Sequence, residues 1–476
     1  MNLLKKGALL ALVLVTLFAC SNDATENLPE VEKGAGDTYA TISLQMAKAT
    51  TRAKMDETWG GRDAIETIDV FLVNTATNHV DHESFTKDAF NQVNDKGLIT
   101  PNKAIKATAG EKIKAYVVVN GAHVASRLKA VNASEFASKF TEEVKEETTA
   151  LAKSSNKKDV VLMTNDVKPE DITIEKNVSE IKAISGLSNR IDVKVQRVVA
   201  RALVTASSSL EKTIEIKNAQ GEKVNSVTIT KMEYAVGQGN TALYLLQYED
   251  LKTPFYSYLP QGDKSENYTG IVGEFTKLES IAESSASNVK KALMEEEYAH
   301  FALPVTHAKE NYRKGNTTYI EVRATFTPEN STLADGAVYK EGEDIFFGLE
   351  DQKFYRTRKA AESMGQGEEK ILQKTIGYKK GVMKYIIWLN PEKEDAKVVS
   401  SPTHRNQVYH AHITGFNEMG LPTNPLDPKD EEDPKDPTSP IDPTDKLEAE
   451  NTYLSVAIEV IDWGLNSYDL QLGNNY

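Results

Sequence analysis

Thr38-Tyr39-Ala40-Thr41-Ile42-Ser43-Leu44-Gln45-Met46 is followed by Ala47-Lys48-Ala49-Thr50-Thr51-Arg52-Ala53-Lys54, and the change between the two halves decides how the chain is read. In the first half Ala40, Ile42, Leu44 and Met46 alternate with Thr41, Ser43 and Gln45, which is the period of a half-buried strand. From Ala47 to Gly61 the alternation stops. Lys48, Thr50, Thr51, Arg52, Lys54, Asp56, Gly60 and Gly61 sustain no apolar face, so this stretch reads as an open loop, the kind that proteases cut. A cut between Arg52 and Ala53 leaves the strand held only by its ladder and its small apolar face. Ala40, Ile42, Leu44 and Met46 are then the face of a removable strand. Arg62, Lys48 and Lys54 are alternative cut sites, and Arg52 is the arginine nearest the strand end.

The far end of the chain repeats the pattern, with Leu454, Val456, Ile458 and Val460 alternating with Tyr453, Ser455, Ala457 and Glu459. One strand can be lost and one is spare. A sheet robbed of an edge strand exposes unpaired N–H and C=O groups beside an apolar groove, and a strand donated by another molecule satisfies both. The pairing predicts a homopolymer. Leu465, Tyr468, Leu470 and Leu472 form a second, less regular run, so the donor is read as the segment 447–476 as a whole.

The chain begins with Lys5 and Lys6, an apolar run from Gly7 to Ala19, and Cys20. The run is too short to span a bilayer. Leu17, Phe18, Ala19 and Cys20 fit a lipobox, which makes Met1–Cys20 a lipoprotein signal with Cys20 as the lipidated thiol. Asp23 and Glu26 behind it suit onward transport to an outer membrane. Cys20 is the single cysteine of the 476 residues, so no disulfide is available and stability must come from core burial. The formal charge of −14 argues against nucleic acid or an anionic membrane surface as partner. Residues 1–52 carry five basic and five acidic side chains, so processing leaves net charge unchanged.

The body reads as strands. Ile65–Asn74 and Ile113–Asn120 are core runs, and short strands follow at Val160–Thr164 and Asp171–Glu175. Between Ala133 and Ala152, Phe136, Phe140 and Val144 recur every four residues, predicting an amphipathic helix that packs across the sheet. A long strand from Ile191 to Val204 closes the first domain. A second series runs through Thr213–Lys217, a turn at Asn218–Gly221, Val227–Val236, Ala242–Gln247, Thr317–Phe326, Lys384–Leu389 and Gln407–Ile413, which indicates an antiparallel sandwich. Ser287–Tyr298 reads as helical, and the gaps from Glu249 to Ala299 and Pro328 to Met383 as elaborated loops.

Leu426–Lys446 is a different material. Asp427-Pro428, Asp433-Pro434, Asp436-Pro437, Ser439-Pro440 and Asp442-Pro443 repeat in a charged tract. Proline favours extended geometry and the acids repel one another, so the tract reads as a semi-rigid spacer that delivers the last strand away from its own body.

Several features tempt a reader toward an enzyme. Gly237-Gln238-Gly239-Asn240-Thr241-Ala242 fits a dinucleotide fingerprint, but a strand follows where a helix N-terminus is needed, and a hairpin turn is favoured. His410 and His412 share a strand face with His404 nearby. No thiolate remains after lipidation and no acidic cluster stands beside them, so structural histidines are favoured over a metal site. Gly-x-Ser-x-Gly does not occur. Trp388 and Trp463 read as core or groove residues, with a carbohydrate platform as the sharper alternative. No catalytic residue, cofactor or metal is expected.

Thr51-Arg52-Ala53, Val195, Arg197, Val199-Ala200-Arg201, Gly315-Asn316-Thr317, Val322-Arg323, Phe326-Thr327-Pro328, Trp388-Leu389-Asn390-Pro391, Arg405-Asn406, Tyr409-His410, His412 and Asn424-Pro425 follow in an order that resembles the structural subunit of the short, minor-type fimbriae of Bacteroidales, a fimbrillin of the type V pilus class. The resemblance spans nearly the whole chain. It implies a lipidated precursor that reaches the outer membrane, an arginine-specific processing protease that cuts after Arg52, and a C-terminal strand that fills the vacated groove of the next subunit in an extracellular fimbria. Such a contact is heterologous and grows into a filament.

The expected architecture is mainly β: two tandem antiparallel β-sandwich domains, Greek-key-like and of transthyretin or immunoglobulin type, with a few short helices. The divisions are a signal peptide at 1–20, a propeptide with the removable strand at 21–52, domains at 53–207 and 208–425, the spacer at 426–446 and the donor segment at 447–476. The expected partners are the chain itself, anchor and tip fimbrial subunits, the protease, and host or bacterial surface ligands in adhesion and biofilm formation, with no nucleic acid. The alternatives are an anchor or tip subunit, and a monomeric surface lipoprotein that binds glycan or a host protein, whose last strand folds into its own sheet.

Overall fold

The computed structural model describes residues 36–46, 62–91, 98–262, 265–364, 371–389, 392–395, 398–427, 429–430, 433–437, 441–447, 459–461 and 465–472. Strands dominate, with a few short helices, as the alternating runs predict.

The first sheet has ten strands. Its organising members are β1 (Thr38–Met46), β2 (Thr67–Asn74), β3 (Leu98–Pro101), β4 (Ile105–Ala107), β5 (Gly110–Val119), β6 (Met163–Asn165) and β7 (Arg190–Arg197). The order β2-β5-β6-β7-β1-β3 runs through its centre, and β4 also pairs with β1. The sheet curls so that Ile42 and Leu44 of β1, Ile68 and Val70 of β2, Val117 and Val119 of β5 and Val195 of β7 share one core.

β2 and β5 are apolar on both faces, because they separate two cores. Ile113, Ala115, Val117 and Val119 turn into the curled sheet. Tyr116 and Val118 turn the other way, against Phe136 and Phe140 of helix α1 (Ala133–Thr141). Alternation in shape with no alternation in polarity is what a strand covered on both sides shows. The rings interlock: Tyr116 lies 5.1 Å from Phe136 and 4.7 Å from Phe140 between centroids.

α1 stops at Thr141, short of the helix read from the sequence to Ala152. Val144 instead joins a short strand, Glu143–Lys145, opposite Leu243. The pairing with a distant segment overrides the local period. A short helix, α2 (Glu180–Ile184), follows further on and is capped by Ser179.

The long strand read from Ile191 to Val204 is two strands in two sheets. β7 ends at Arg197 and β8 (Ala200–Ser207) begins after Val198-Val199. β8 belongs to a six-stranded sheet, beside β12 (Val408–Phe416). A five-stranded sheet packs on it, with β9 (Lys223–Gly237), β10 (Tyr319–Pro328) and β11 (Val382–Trp388) in order. β13 (Leu465–Leu472) lies beyond β12. Between the two sheets, Ala202 and Val204 of β8 and Ala411 and Ile413 of β12 meet Val322 and Phe326 of β10 and Tyr385 of β11. That is a sandwich. Helix α3 (Ala286–Glu295) covers the opposite face of β8, where Val289 and Leu293 join the core that holds Phe136 and Leu203.

The pairing is mixed, not purely antiparallel. β1 with β7, β8 with β12, and β12 with β13 are parallel, and each parallel pair is joined by a long connection, as parallel strands require. The stretches read as loops also carry structure, including Val272–Lys277 beside β9 and a three-stranded sheet of Ile345–Gly348, Phe354–Tyr355 and Thr375–Tyr378. Gly237–Ala242 makes no hairpin. β9 ends there, Gln238 takes a φ of 56° and donates to the carbonyls of Lys314 and Thr317, and the next strand pairs with Glu143–Lys145.

Candidate functional site

β1 sits in a bed made by other strands on both sides. Thr41 to Met46 run parallel to Arg190 to Val195 of β7. On its other side Thr38–Ala40 pair with β4, and Leu44 and Gln45 with β3. β1 is thus an inner strand, not the edge strand its removal seemed to need. Withdrawing it splits the sheet and leaves two unpaired edges facing one slot.

Ala40, Ile42 and Leu44 are fully buried, and Met46 is half-buried. Thr41 and Ser43, read as the outward face, are buried as well. The segment that carries α2 covers them. Tyr39 N–H donates to the Val178 carbonyl at 3.2 Å, and Thr41 N–H to the Asn189 carbonyl at 2.9 Å. The Asn189 amide donates to the Tyr39 carbonyl at 2.9 Å, and the Thr38 hydroxyl to the Glu175 carbonyl at 2.7 Å. At the entrance, a Cβ on Gly36 would fall 2.6 Å from the Ala107 carbonyl oxygen, so only glycine passes there.

Cys20, Arg52 and Ala53 lie outside the described residues, as do Leu454, Val456 and Ile458. The chain returns at Arg62, and there it is gripped. Arg62 pairs with Asp159 at 2.9 Å and bonds the Glu296 carbonyl. Asp159 also holds Arg201 at 2.6 Å, Arg201 holds Glu296 at 2.6 Å, and the Tyr234 hydroxyl donates to Glu296. Burial pushes the Asp159 carboxyl up, and Arg201 and Arg62 outweigh it and hold it below the ordinary range. Burial keeps Glu296 raised. Asp63, the next residue, pairs with Arg197, whose guanidinium also donates to Asn406 at 2.9 Å. Two buried cations against two buried anions make the cluster self-neutralising, which is the condition for charges at zero exposure. Arg62, at 5% exposure, offers a protease no side chain to bind.

The proline-rich tract is not a free spacer. Leu426, Ile441 and Leu447 are buried with Tyr312, Tyr319 and Trp388, and the Tyr319 and Trp388 rings meet edge to face at 6.0 Å. Arg358 pairs with Asp433 at 2.9 Å and Asp436 at 2.5 Å, Lys384 with Asp430, and Lys314 with Asp445 at 3.1 Å. Basic side chains scattered through the body supply the counter-charge that the tract lacks by itself. Trp388 is a core residue here. Trp463 lies outside the described residues.

The end of the chain returns to its own sheet. β13 pairs parallel with β12 from Val408↔Leu465 to Phe416↔Leu472, and Val460 lies in a short strand, Glu459–Ile461, opposite Asn466. His410 and His412 both bond the Thr205 hydroxyl, at 2.7 and 2.8 Å, buried on the face of the sheet turned away from the sandwich core. Burial, with His412 alongside, pulls His410 down to about 3. Among the described residues no group of three or more His, Cys, Asp or Glu is placed to hold a metal.

The fimbrillin C-terminal domain of major fimbrial subunit proteins matches residues 377–469. The chain is also 29% identical to the minor fimbrium subunit Mfa1 of Porphyromonas gingivalis, over 98% of both chains. The chain is thus similar to fimbrillins in its C-terminal part and to a fimbrial subunit over nearly its whole length. Among solved structures it is similar to a fimbrilin of Porphyromonas gingivalis W83 (12% identity, TM-score 0.42, 92% of this chain and 99% of that one). It is also similar to the tip fimbrial protein Mfa3 of Porphyromonas gingivalis (11% identity, TM-score 0.35, 79% and 94%). These relatives are fimbrial subunits. In this chain Arg197, Arg201, Arg405, Asn406 and Asn424, which carry the resemblance in the sequence, all lie in buried polar contacts. Arg405 donates to the Tyr244 and Leu245 carbonyls and Asn424 to Tyr319 and Glu321. They hold the fold together.

Proposed function

We propose that this fimbrillin relative is a structural shaft subunit and not an enzyme. It is exported as a lipoprotein on Cys20, cut between Arg52 and Ala53, and polymerised at the cell surface when the C-terminal segment of one copy takes the place of β1 in the next. The observation that carries this is the bed: an inner strand at the start of the chain, joined to the body by a segment bearing Arg52, and bounded beyond by the buried grip on Arg62 and Asp63. Cutting after Arg52 frees β1 and leaves nine residues, 53–61, before that grip. The body stays closed while the slot opens.

The occupant is drawn from 447–476. Leu454, Val456, Ile458 and Val460 have the regular alternation. Ser467-Tyr468-Asp469-Leu470-Gln471-Leu472 mirrors Thr41-Ile42-Ser43-Leu44-Gln45-Met46 position by position in apolar and polar character. Its pairing with β12 is parallel, the sense in which β1 lies on β7. A few donated apolar side chains at about 1.5–3 kcal/mol each, with a full ladder, make a slowly dissociating joint. Anchor and tip subunits, and surface ligands in adhesion and biofilm formation, are the further partners of this reading.

One observation favours a second reading. β13 lies on its own β12, which is the arrangement of a monomeric surface lipoprotein. An unboiled gel separates the two, run on the full chain and on Arg52→Ala, before and after an arginine-specific protease. A ladder only from the cut wild type, with a new N-terminus at Ala53, supports the shaft subunit. A lone monomer band despite confirmed cutting overturns it and puts the monomeric lipoprotein first.

A further inference from the structure

The tract from Leu426 to Leu447 holds eight acidic and three basic residues. In isolation it should be an extended, self-repelling tether. The body has a seat for it. Arg358 stands at the centre, stacked 5.2 Å from the Phe346 ring and reaching both Asp433 and Asp436. The backbone joins in: Gly377 N–H donates to Asp436 at 3.1 Å, Gly315 N–H to the Pro443 carbonyl at 2.8 Å, and Lys314 N–H to the Asp445 carbonyl at 2.9 Å. A Cβ on Gly315 would fall 2.6 Å from the Pro443 side chain. Leu447, at 2% exposure, is the last buried residue of the tract.

The seat combines two kinds of contact. Ile441 and Leu447 are apolar anchors, insensitive to salt. The contacts of Asp430, Asp433, Asp436 and Asp445 are charge-assisted, and several are half-exposed, as Asp433 and Asp445 are at 46% and 49%. Contacts of that kind weaken as the Debye length falls from about 10 Å at 0.1 M salt to about 3 Å at 1 M.

We propose that this acidic tract is a latch that fixes the point from which the final strand sets out. With the latch closed, the 17 residues 448–464 separate Leu447 from Leu465, a reach of roughly 56–61 Å when fully extended. With it open to Asp427, the 38 residues 427–464 give roughly 125–137 Å. The closed latch keeps the donated strand on a short lead, which limits the spacing between successive subunits and raises the local concentration of donor at the neighbouring slot. The consequence for the fibre rests on the strand-exchange reading; the latch itself does not.

The test compares the full chain with Asp433→Asn/Asp436→Asn, which changes only the strap and leaves the seat intact. Amide hydrogen exchange at Lys314, Gly315 and Gly377 reports latch opening from the body side. These amides should be protected in the wild type at low salt, and exchange roughly tenfold faster or more in the variant and in wild type at 1 M salt. Wild-type rates in the variant, with no response to salt, overturn the latch. In filaments viewed by negative stain, the variant should show a broader spread of subunit spacing and bend angle. Identical spacing, with exchange showing the latch open, overturns its role as a spacer. If neither protein forms a ladder after cutting, the polymer reading falls, while the exchange result still decides the latch.

Discussion

Leu44 is the residue through which the retention of β1 can be measured. It is fully buried, and its backbone lies opposite Val193 on one side and Ile99 on the other. Leu44→Ala removes three carbons from a site walled by strands that cannot close up, and a change of this kind costs about 2–5 kcal/mol. In the uncut chain that cost falls on stability. Once the chain is cut after Arg52 it falls on the affinity of β1 for its bed, where each 1.4 kcal/mol or so is tenfold. The released strand should leave about 30-fold to several thousand-fold faster, since changes at an interface act mainly on dissociation. The assay is the lifetime of the cut complex, followed by the mass of the retained fragment after gel filtration at successive times. Gln45→Ala is the control, because Gln45 is exposed on the same strand and should leave the lifetime unchanged. Equal lifetimes for Leu44→Ala and Gln45→Ala would refute the idea that apolar burial holds β1.

Two more predictions concern buried charge and buried imidazole. Arg201→Met strips Glu296 of its counter-ion and should cost about 3–5 kcal/mol, seen as a lower Tm at neutral pH. Glu296 is a raised carboxyl, so the stability it contributes is present at low pH and lost as pH rises through its folded value. The deficit of Arg201→Met should therefore shrink between pH 7.5 and pH 5, and a deficit that grows on acidification would contradict the assignment. His410, pulled to about 3, and His300 and His404, each pulled to about 4 by burial, work in the opposite sense. Their contribution is present above the ordinary histidine value near 6.5 and is lost as pH falls toward those lowered values. Denaturation curves should show stability declining below about pH 6.5, and His410→Gln should flatten that decline; an unchanged slope would remove His410 from the account.

What could be read from the sequence was what local pattern encodes. β1, β2, β5 and the Thr213–Lys217 strand were plain because their side chains alternate or run apolar over a strand length. The break at Val198-Val199 was hidden, because two valines between two apolar strands carry no turn signal. Thr41 and Ser43 were read as solvent-facing, since the segment that covers them lies well over a hundred residues downstream. The acidic tract was legible as a charged, proline-rich composition, but not as a segment whose Leu426, Ile441 and Leu447 are buried against the body. Its partners Lys314, Arg358 and Lys384 are far apart in the chain, and nothing in the sequence marks them as a set. Arg62 looked like a second cut site for the same reason, since burial against Asp159 and Glu296 is a property of the fold alone.

The step at Val198-Val199 has a mechanical consequence. β7 forms one wall of the slot and β8 lies next to β12 in the sheet that carries the tail, so two residues of covalent chain connect the receiving end of the subunit to the sending end. In a fibre built by strand exchange, tension enters through the strand lying parallel to β7 and passes directly into β8. Asp63 holds Arg197 at the end of β7 and Asp159 holds Arg201 in β8, so the polar grip flanks the two-residue step on both sides. A parallel pair pulled along its axis loads its ladder bonds together, in shear, so a fibre assembled in that way would be braced along its own axis.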